Sequence, residues 1–171
     1  MTVTHFVKDT PVWVWVLLVF LIKRGITALS DREMRIERLF ILPLIFLVWG
    51  VYSVVHETVE TDASLALMLV GVILGIGIGW ALWSSQPRLR NGAEENVIIR
   101  AGTPLTLVLI VLLFIAKFAL TASLALWPVL FHSLHYNLLF GLLSGVLDGI
   151  FWGGTLNLYI SWYRSKHKAM Y

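Results

Sequence analysis

The chain contains no cysteine. This absence excludes disulfides, thiolate metal sites, cysteine nucleophiles and thiol relays. Charge is scarce as well, because only 13% of the 171 residues are Asp, Glu, Lys or Arg, roughly half the share of a typical soluble domain. A soluble domain of this length could not hide an apolar fraction of 58%. The composition therefore indicates a protein that lies in a lipid bilayer.

Catalytic signatures are missing too. The sequence has no H-E-x-x-H, no G-x-S-x-G, no phosphate-binding loop and no dinucleotide fingerprint after a strand. The glycines at 75, 77 and 79 lie inside an apolar run, so they are not a nucleotide motif. The basic residues have few aromatic neighbours, which fits anionic lipid headgroups and argues against a nucleic-acid partner. We therefore expect no catalytic residues, and the pattern favours a protein that is not an enzyme.

Long apolar runs dominate what is present. A helix that crosses a bilayer needs roughly 20 mostly apolar residues. Five segments fit this length, at residues 10–29, 39–56, 63–83, 104–127 and 136–162. The first reaches spanning length only if Lys23 and Arg24 lie near the headgroups, and no small-residue cleavage site marks it as a signal peptide. The sequence predicts an all-α, polytopic membrane helix bundle that forms a single domain over residues 1–171.

Basic residues alternate between the connecting segments. Eleven of the thirteen Lys and Arg residues fall in segments 23–38, 86–102 and the C-terminal tail. Lys8 lies on the other side, and Lys117 lies inside a span. Because cytoplasmic loops are the positive ones, we expect the N-terminus outside, the C-terminus inside and an odd number of spans. In the segment 86–102, Asn91-Gly92 predicts a turn and residues 96–100 a short extended run.

Two charges lie within predicted spans. Lys117 and Asp148 stand in neighbouring antiparallel spans, roughly 15 and 18 Å below the outer boundary at about 1.5 Å per residue. We predict that they pair. Ser144 and Thr155 share the helical face of Asp148. The pair either pins two helices together or forms a site for a proton, an ion or a polar substrate, since ionisable groups inside membranes are commonly functional.

Glycines recur at four-residue spacing in two spans. Such spacing removes side chains from one helix face and lets backbones approach closely. The glycines are Gly141, Gly145, Gly149 and Gly153 in the last span and Gly71, Gly75 and Gly79 in the third. These faces predict tight packing, either within one chain or against a second copy or another membrane protein.

His132 and His135 form an H-x-x-H in an outer loop. Imidazoles three residues apart can share a metal, and His also ligates haem. No carboxylate completes a ligand set around them, so ordinary interfacial histidines are the alternative. We expect no resident cofactor.

Several stretches together resemble one family. They are residues 10–15 (TPVWVW), 35–43 (RIERLFILP), 101–118 (AGTPLTLVLIVLLFIAKF) and 141–149 (GLLSGVLDG). This pattern resembles a family of small bacterial inner-membrane proteins catalogued as a domain of unknown function, with a looser likeness to CcdC-type membrane proteins. The resemblance implies a bacterial cytoplasmic membrane location and assigns no activity and no site residue.

Three functions are consistent with these residues. The first is a small transporter or channel component that uses Lys117 and Asp148. The second is a non-catalytic assembly or scaffold protein that binds another membrane protein through its glycine faces. The third is a haem or metal protein that uses His132 and His135.

Overall fold

The computed structural model describes residues 12–92 and 96–168. Five α-helices account for most of these residues: α1 (Val12–Thr27), α2 (Ile41–Glu57), α3 (Thr61–Ser84), α4 (Pro104–Leu126) and α5 (Leu134–Lys168). Three short strands lie between them: β1 (Arg32–Arg35), β2 (Arg90–Asn91) and β3 (Val97–Arg100). The all-α fold is confirmed. The first two residues of the predicted span 10–29 lie outside the described residues.

Four helical segments are long and apolar enough to cross a membrane. They are Ile36–Glu57, Thr61–Ser84, Pro104–Leu126 and Leu134–Lys166. The first of them joins a 3₁₀ turn at Ile36–Leu39 to α2. The helix α1 is shorter, with 16 residues. The chain thus has the helices of a membrane protein.

The connections place helix ends at two opposite ends of the bundle. The helices α2 and α4 begin beside the strands, whereas α3 and α5 end there; we call this the sheet end. The opposite end carries the short link at residues 58–60 and a 3₁₀ turn at Pro128–His132. Pro104 occupies the start of α4, where its missing N–H costs no helical hydrogen bond.

A small antiparallel sheet closes the sheet end, in the order β1-β3-β2. The predicted turn and extended run form β2 and β3, and the N–H of Gly92 donates to the carbonyl oxygen of Val97 at 2.8 Å. The pairing of β1 with β3 is not expected from the sequence, because it joins segments more than sixty residues apart. Ile98 is fully buried in a cluster with Trp83 and Trp162, so the sheet is packed onto the helices.

The helix pair α3–α5 forms the most extensive contact of the bundle. On the other side of the bundle, α1 packs against α4, with Leu21 entering the central cluster of Phe46, Ile110 and Phe151. The backbones of α4 and α5 approach each other at only a few positions. This wider gap is where the polar side chains of the bundle centre lie.

Candidate functional site

The structure brings Lys117 and Asp148 together at the centre of the bundle. Nζ of Lys117 lies 3.5 Å from Oδ2 of Asp148, and their side chains are 4% and 0% exposed. The long lysine side chain crosses the gap between α4 and α5, which the backbones themselves do not close. Both charges of a buried ion pair lose their hydration. This desolvation cost is offset only by their mutual attraction and by hydrogen bonds from neighbouring groups.

The neighbouring helix α2 shapes the space around this pair. The centre of the Trp49 ring lies 5.5 Å from Nζ of Lys117, within the range of a cation–π interaction. Gly50 follows directly, and a Cβ atom added there would lie 3.0 Å from Nζ of Lys117 and 3.0 Å from Cε of Met68. It would also collide with Oδ2 of Asp148. The ion pair therefore occupies volume that a side chain at position 50 would fill.

One oxygen of the carboxylate has no partner in the part of the chain that the structure describes. Oδ1 of Asp148 is buried and accepts no hydrogen bond from any described residue. Such a group carries the full cost of its desolvation, about 1–3 kcal/mol or more for a charged group. Buried polar atoms without partners are rare in folded proteins and require a specific explanation. In a site, this oxygen is where a proton, an ion or a water molecule would bind.

Ser144 and Thr155 take different positions relative to the pair. Ser144 is 1% exposed and lies one helical turn from Asp148, toward the opposite end. Thr155 is also buried, but it lies two turns toward the sheet end and lines a separate cavity. The shared helical face thus places one hydroxyl beside the pair and the other beside the sheet.

That cavity, the sheet-end cavity, has a volume of about 30 Å³ and is partly open. Its polar lining consists of Arg32, Arg38, Arg100, Thr106 and Thr155. Arg100 donates a hydrogen bond to Oγ1 of Thr106 at 3.1 Å. Ile110 and Phe151 form its apolar side toward the bundle centre, where Phe151 lies one turn from Asp148. The cavity and the ion pair are therefore separated by a thin apolar layer.

A third polar group lies on the other side of the pair. Thr121 is one helical turn from Lys117 on α4, and its hydroxyl donates to Oε2 of Glu57 at 2.9 Å. Nearby, the Tyr136 hydroxyl donates to the carbonyl oxygen of Leu120 at 2.5 Å and contacts Oγ of Ser123 at 2.7 Å. The negative charge of Glu57 attracts Lys117 as well. Lys117 thus interacts with two carboxylates, directly with Asp148 and through charge attraction with Glu57.

The predicted glycine faces meet each other. A Cβ atom added at Gly149 would lie 2.9 Å from Cα of Gly75, and one at Gly71 would lie 3.1 Å from Cα of Gly145. A Cβ at Gly79 would meet the backbone of Ile150. On α5, Gly141, Gly145 and Gly153 stand equally close to the α3 backbone at Ser64, Met68 and Ile76. The two rows of glycine are used within one chain to bring α3 and α5 into backbone contact.

The histidines of the H-x-x-H pattern lie at the opposite end. His132 belongs to the 3₁₀ turn and His135 to the first turn of α5, and both are exposed. The ring of His132 packs edge-on against Phe131. In the described part of the chain, no three His, Asp or Glu side chains come close enough together to hold a metal ion.

The sequence pattern does not predict a role for Trp49, for Gly50 or for the arginines that line the sheet-end cavity. A tryptophan near a span centre is unusual, because such rings prefer the headgroup level, and this was the available signal for Trp49. Gly50 belongs to no repeated spacing. From the sequence, the arginines predict only the orientation of the chain in the membrane. Their convergence on one cavity depends on the pairing of β1 with β3, which the sequence does not predict.

Searches among curated proteins and among solved structures found no match. A family match does exist, and it confirms the resemblance to a family of unknown function. The family of unknown function DUF6622 matches residues 1–165, and the chain belongs to that family.

Proposed function

We propose that the chain is a small transport protein of the bacterial cytoplasmic membrane, in which the Lys117–Asp148 pair is the site that a proton or a small ion occupies. In this proposal all five helices cross the bilayer, with the sheet end at the cytoplasm. The excess of Lys and Arg in the segments at the sheet end supports this orientation.

One observation carries the proposal: a buried ion pair at 3.5 Å in which Oδ1 of Asp148 has no hydrogen-bond partner among residues 12–92 and 96–168. A pair that serves only to join helices would gain from the saturation of every oxygen, because each orphaned acceptor weakens the join. Charged residues at mid-bilayer cost about 2.5–3.5 kcal/mol each on insertion scales. A binding site typically combines an energetic cost of this size with an atom that is free to bind a ligand, which here is Oδ1 of Asp148.

The polar groups form a series along the bundle. Glu57 with Thr121 lies toward the opposite end, Lys117 with Asp148 and Ser144 at the centre, and the sheet-end cavity beyond Phe151. Polar groups arranged in this way could hand a proton or an ion from one to the next. The apolar layer of Ile110 and Phe151 between the centre and the cavity supplies the barrier that prevents a continuous leak.

The flexible side chain of Lys117 provides the moving part. When a proton binds to Asp148, the carboxylate loses its charge and with it the attraction for the ammonium group. Lys117 then turns toward Glu57 of α2, whose carboxylate accepts a hydrogen bond from Thr121, one helical turn from Lys117 on α4. Loss of the proton toward the other side restores the original pair. The transported species in this scheme is the proton itself, or an ion that replaces it at Oδ1.

The test is flux through purified protein in lipid vesicles. A pH-sensitive dye inside the vesicles reports proton movement after an imposed pH step or membrane potential. We expect the wild type to carry protons faster than empty vesicles, and Asp148→Asn and Lys117→Met to abolish this flux. Asp62→Asn removes an exposed acid at the start of α3 and serves as the matched control. Wild-type flux equal to that of empty vesicles contradicts proton transport, and a repeat with cation-selective dyes then tests Na⁺ and K⁺.

The alternatives have less support. A scaffold that binds partners through its glycine faces needs those faces on the surface, whereas here they lie against each other. A haem or metal protein needs His132 and His135 to converge with further ligands, and both side chains are exposed to the surroundings. Cross-linking to a partner protein tests the scaffold function directly, and an optical spectrum of the purified protein tests for haem.

A further inference from the structure

We propose that the sheet-end cavity binds a phosphate group through Arg32, Arg38 and Arg100. This inference goes beyond transport, because it concerns a second site, and it holds whether or not the central pair carries protons. The chemistry is that of a phosphate monoester or inorganic phosphate.

The first support is the register of the sheet. Arg32 and Arg100 are direct partners across β1 and β3. Side chains at such positions lie about 5 Å apart at Cβ, and both guanidinium groups line the same cavity. Two guanidinium groups at this separation can both donate hydrogen bonds to one anion.

The second support is the composition of the cavity wall. Arg38 approaches from the 3₁₀ turn before α2 and adds a third guanidinium to the same cavity. Within residues 12–92 and 96–168, no Asp or Glu side chain lines this wall. The buried hydroxyls of Thr106 and Thr155 complete it, and the hydrogen bond from Arg100 to Thr106 at 3.1 Å holds that arginine at the wall. Planar guanidinium groups bind phosphate oxygens in pairs, which a lysine cannot do.

The volume of the sheet-end cavity limits which ligands can enter it. A volume of about 30 Å³ accommodates roughly two water-sized groups. Two oxygens of one phosphate group fit inside, whereas an entire nucleotide does not. Because the cavity is partly open, the remainder of a larger molecule could stay outside. Two sources supply this chemistry, namely free phosphate in the cytoplasm and the headgroup of phosphatidic acid in the inner leaflet.

Full-length protein in phosphatidylcholine nanodiscs tests both sources. One arm adds inorganic phosphate, and the other replaces a minor fraction of the lipid with phosphatidic acid. Thermal unfolding reports stabilisation, and native mass spectrometry reports retained lipid. Stabilisation by phosphate in pure phosphatidylcholine identifies the free anion as the ligand. Stabilisation by phosphatidic acid alone identifies the headgroup.

Variants distinguish specific binding in the cavity from non-specific attraction of an anion to the basic surface. Arg38→Gln and Arg100→Gln should each weaken the apparent affinity by about tenfold or more, as expected for the loss of a charged hydrogen bond. Arg100→Lys keeps the charge but loses the paired geometry, and it should weaken binding as well. Arg35→Gln is the matched control, because Arg35 lies on the same strand, is exposed and does not line the cavity.

Two outcomes overturn the proposal. In the first, neither phosphate nor phosphatidic acid stabilises the wild type. In the second, Arg35→Gln weakens binding as much as Arg38→Gln does, which indicates diffuse attraction of a basic surface. Arg38 is exposed in a 3₁₀ turn, so its replacement should leave the fold intact even where Arg100→Gln disturbs the sheet.

Discussion

Gly50 of α2 lies so close to Asp148 of α5 that a Cβ atom at position 50 would collide with the carboxylate. The same atom would come within 3.0 Å of Nζ of Lys117. Three helices therefore contribute to one polar centre, α2 by the absence of a side chain and α4 and α5 by their charges. This relationship leads to a direct prediction for position 50.

Gly50→Ala should destabilise the protein by about 1–3 kcal/mol, because the added methyl group must displace the ion pair or Met68. Proton flux should fall with it. Gly77→Ala is the control, since a Cβ at Gly77 meets no atom within 4 Å. Thermal unfolding in detergent measures both variants. Equal midpoints for the two variants would show that the space beside Asp148 is not occupied as described.

Replacement of one partner of the buried pair should cost more than replacement of both. Lys117→Met leaves Asp148 as an isolated buried charge, and such losses cost about 3–5 kcal/mol. The double variant Lys117→Met/Asp148→Leu removes both charges and should recover most of that stability.

The same double variant separates structure from transport. Recovered stability without proton flux supports a functional pair, whereas recovered stability with wild-type flux assigns the pair a purely structural role. The two measurements are unfolding midpoint and vesicle flux, made on the same preparation.

The central pair was predictable because its signal is local. Each charge interrupts an otherwise apolar run, and counting residues from the ends of antiparallel spans places both at similar depth. Trp49 and Gly50 could not be placed in the same way. Their contribution depends on the rotation of α2 about its axis, which one-dimensional apolar patterning does not specify when a helix is apolar on every face.

The sheet-end cavity could not be predicted from the sequence. Its arginines come from two segments that are distant in the chain, and β1 is only four residues long. A strand so short carries almost no alternation to identify it. The helical face of Thr155 was predictable from the sequence. The cavity that Thr155 lines was not, because it forms only when distant segments pair.

Gly145→Leu should destabilise the isolated chain. A side chain at position 145 must enter the backbone of α3, where a Cβ would already lie 3.0 Å from Cα of Met68. Overpacking of this kind costs about 1–3 kcal/mol, and a leucine should exceed the lower value. Thermal unfolding of the variant at several protein concentrations tests this, with Gly77→Leu as the control. A loss of stability that depends on concentration would instead indicate an interface between copies.

The five-span arrangement is testable by thiol labelling, for which a chain without cysteine needs no background removal. Glu60→Cys lies in the exposed link after α2, and Glu33→Cys lies on the exposed face of β1. In intact cells, a membrane-impermeant maleimide should label position 60, whereas position 33 should react only after permeabilisation. The reverse pattern would place the sheet end outside the cell and contradict the proposed orientation.

Val12→Cys decides whether α1 crosses. Val12 is 76% exposed and begins α1, at the end of that helix away from the strands. If α1 spans the bilayer, position 12 reacts from the same side as position 60. If α1 instead lies along the inner surface, position 12 reacts only after permeabilisation, together with position 33. The packing of Leu21 into the core between α2, α4 and α5 favours the first result, because a helix on the surface could not bury that side chain at the bundle centre.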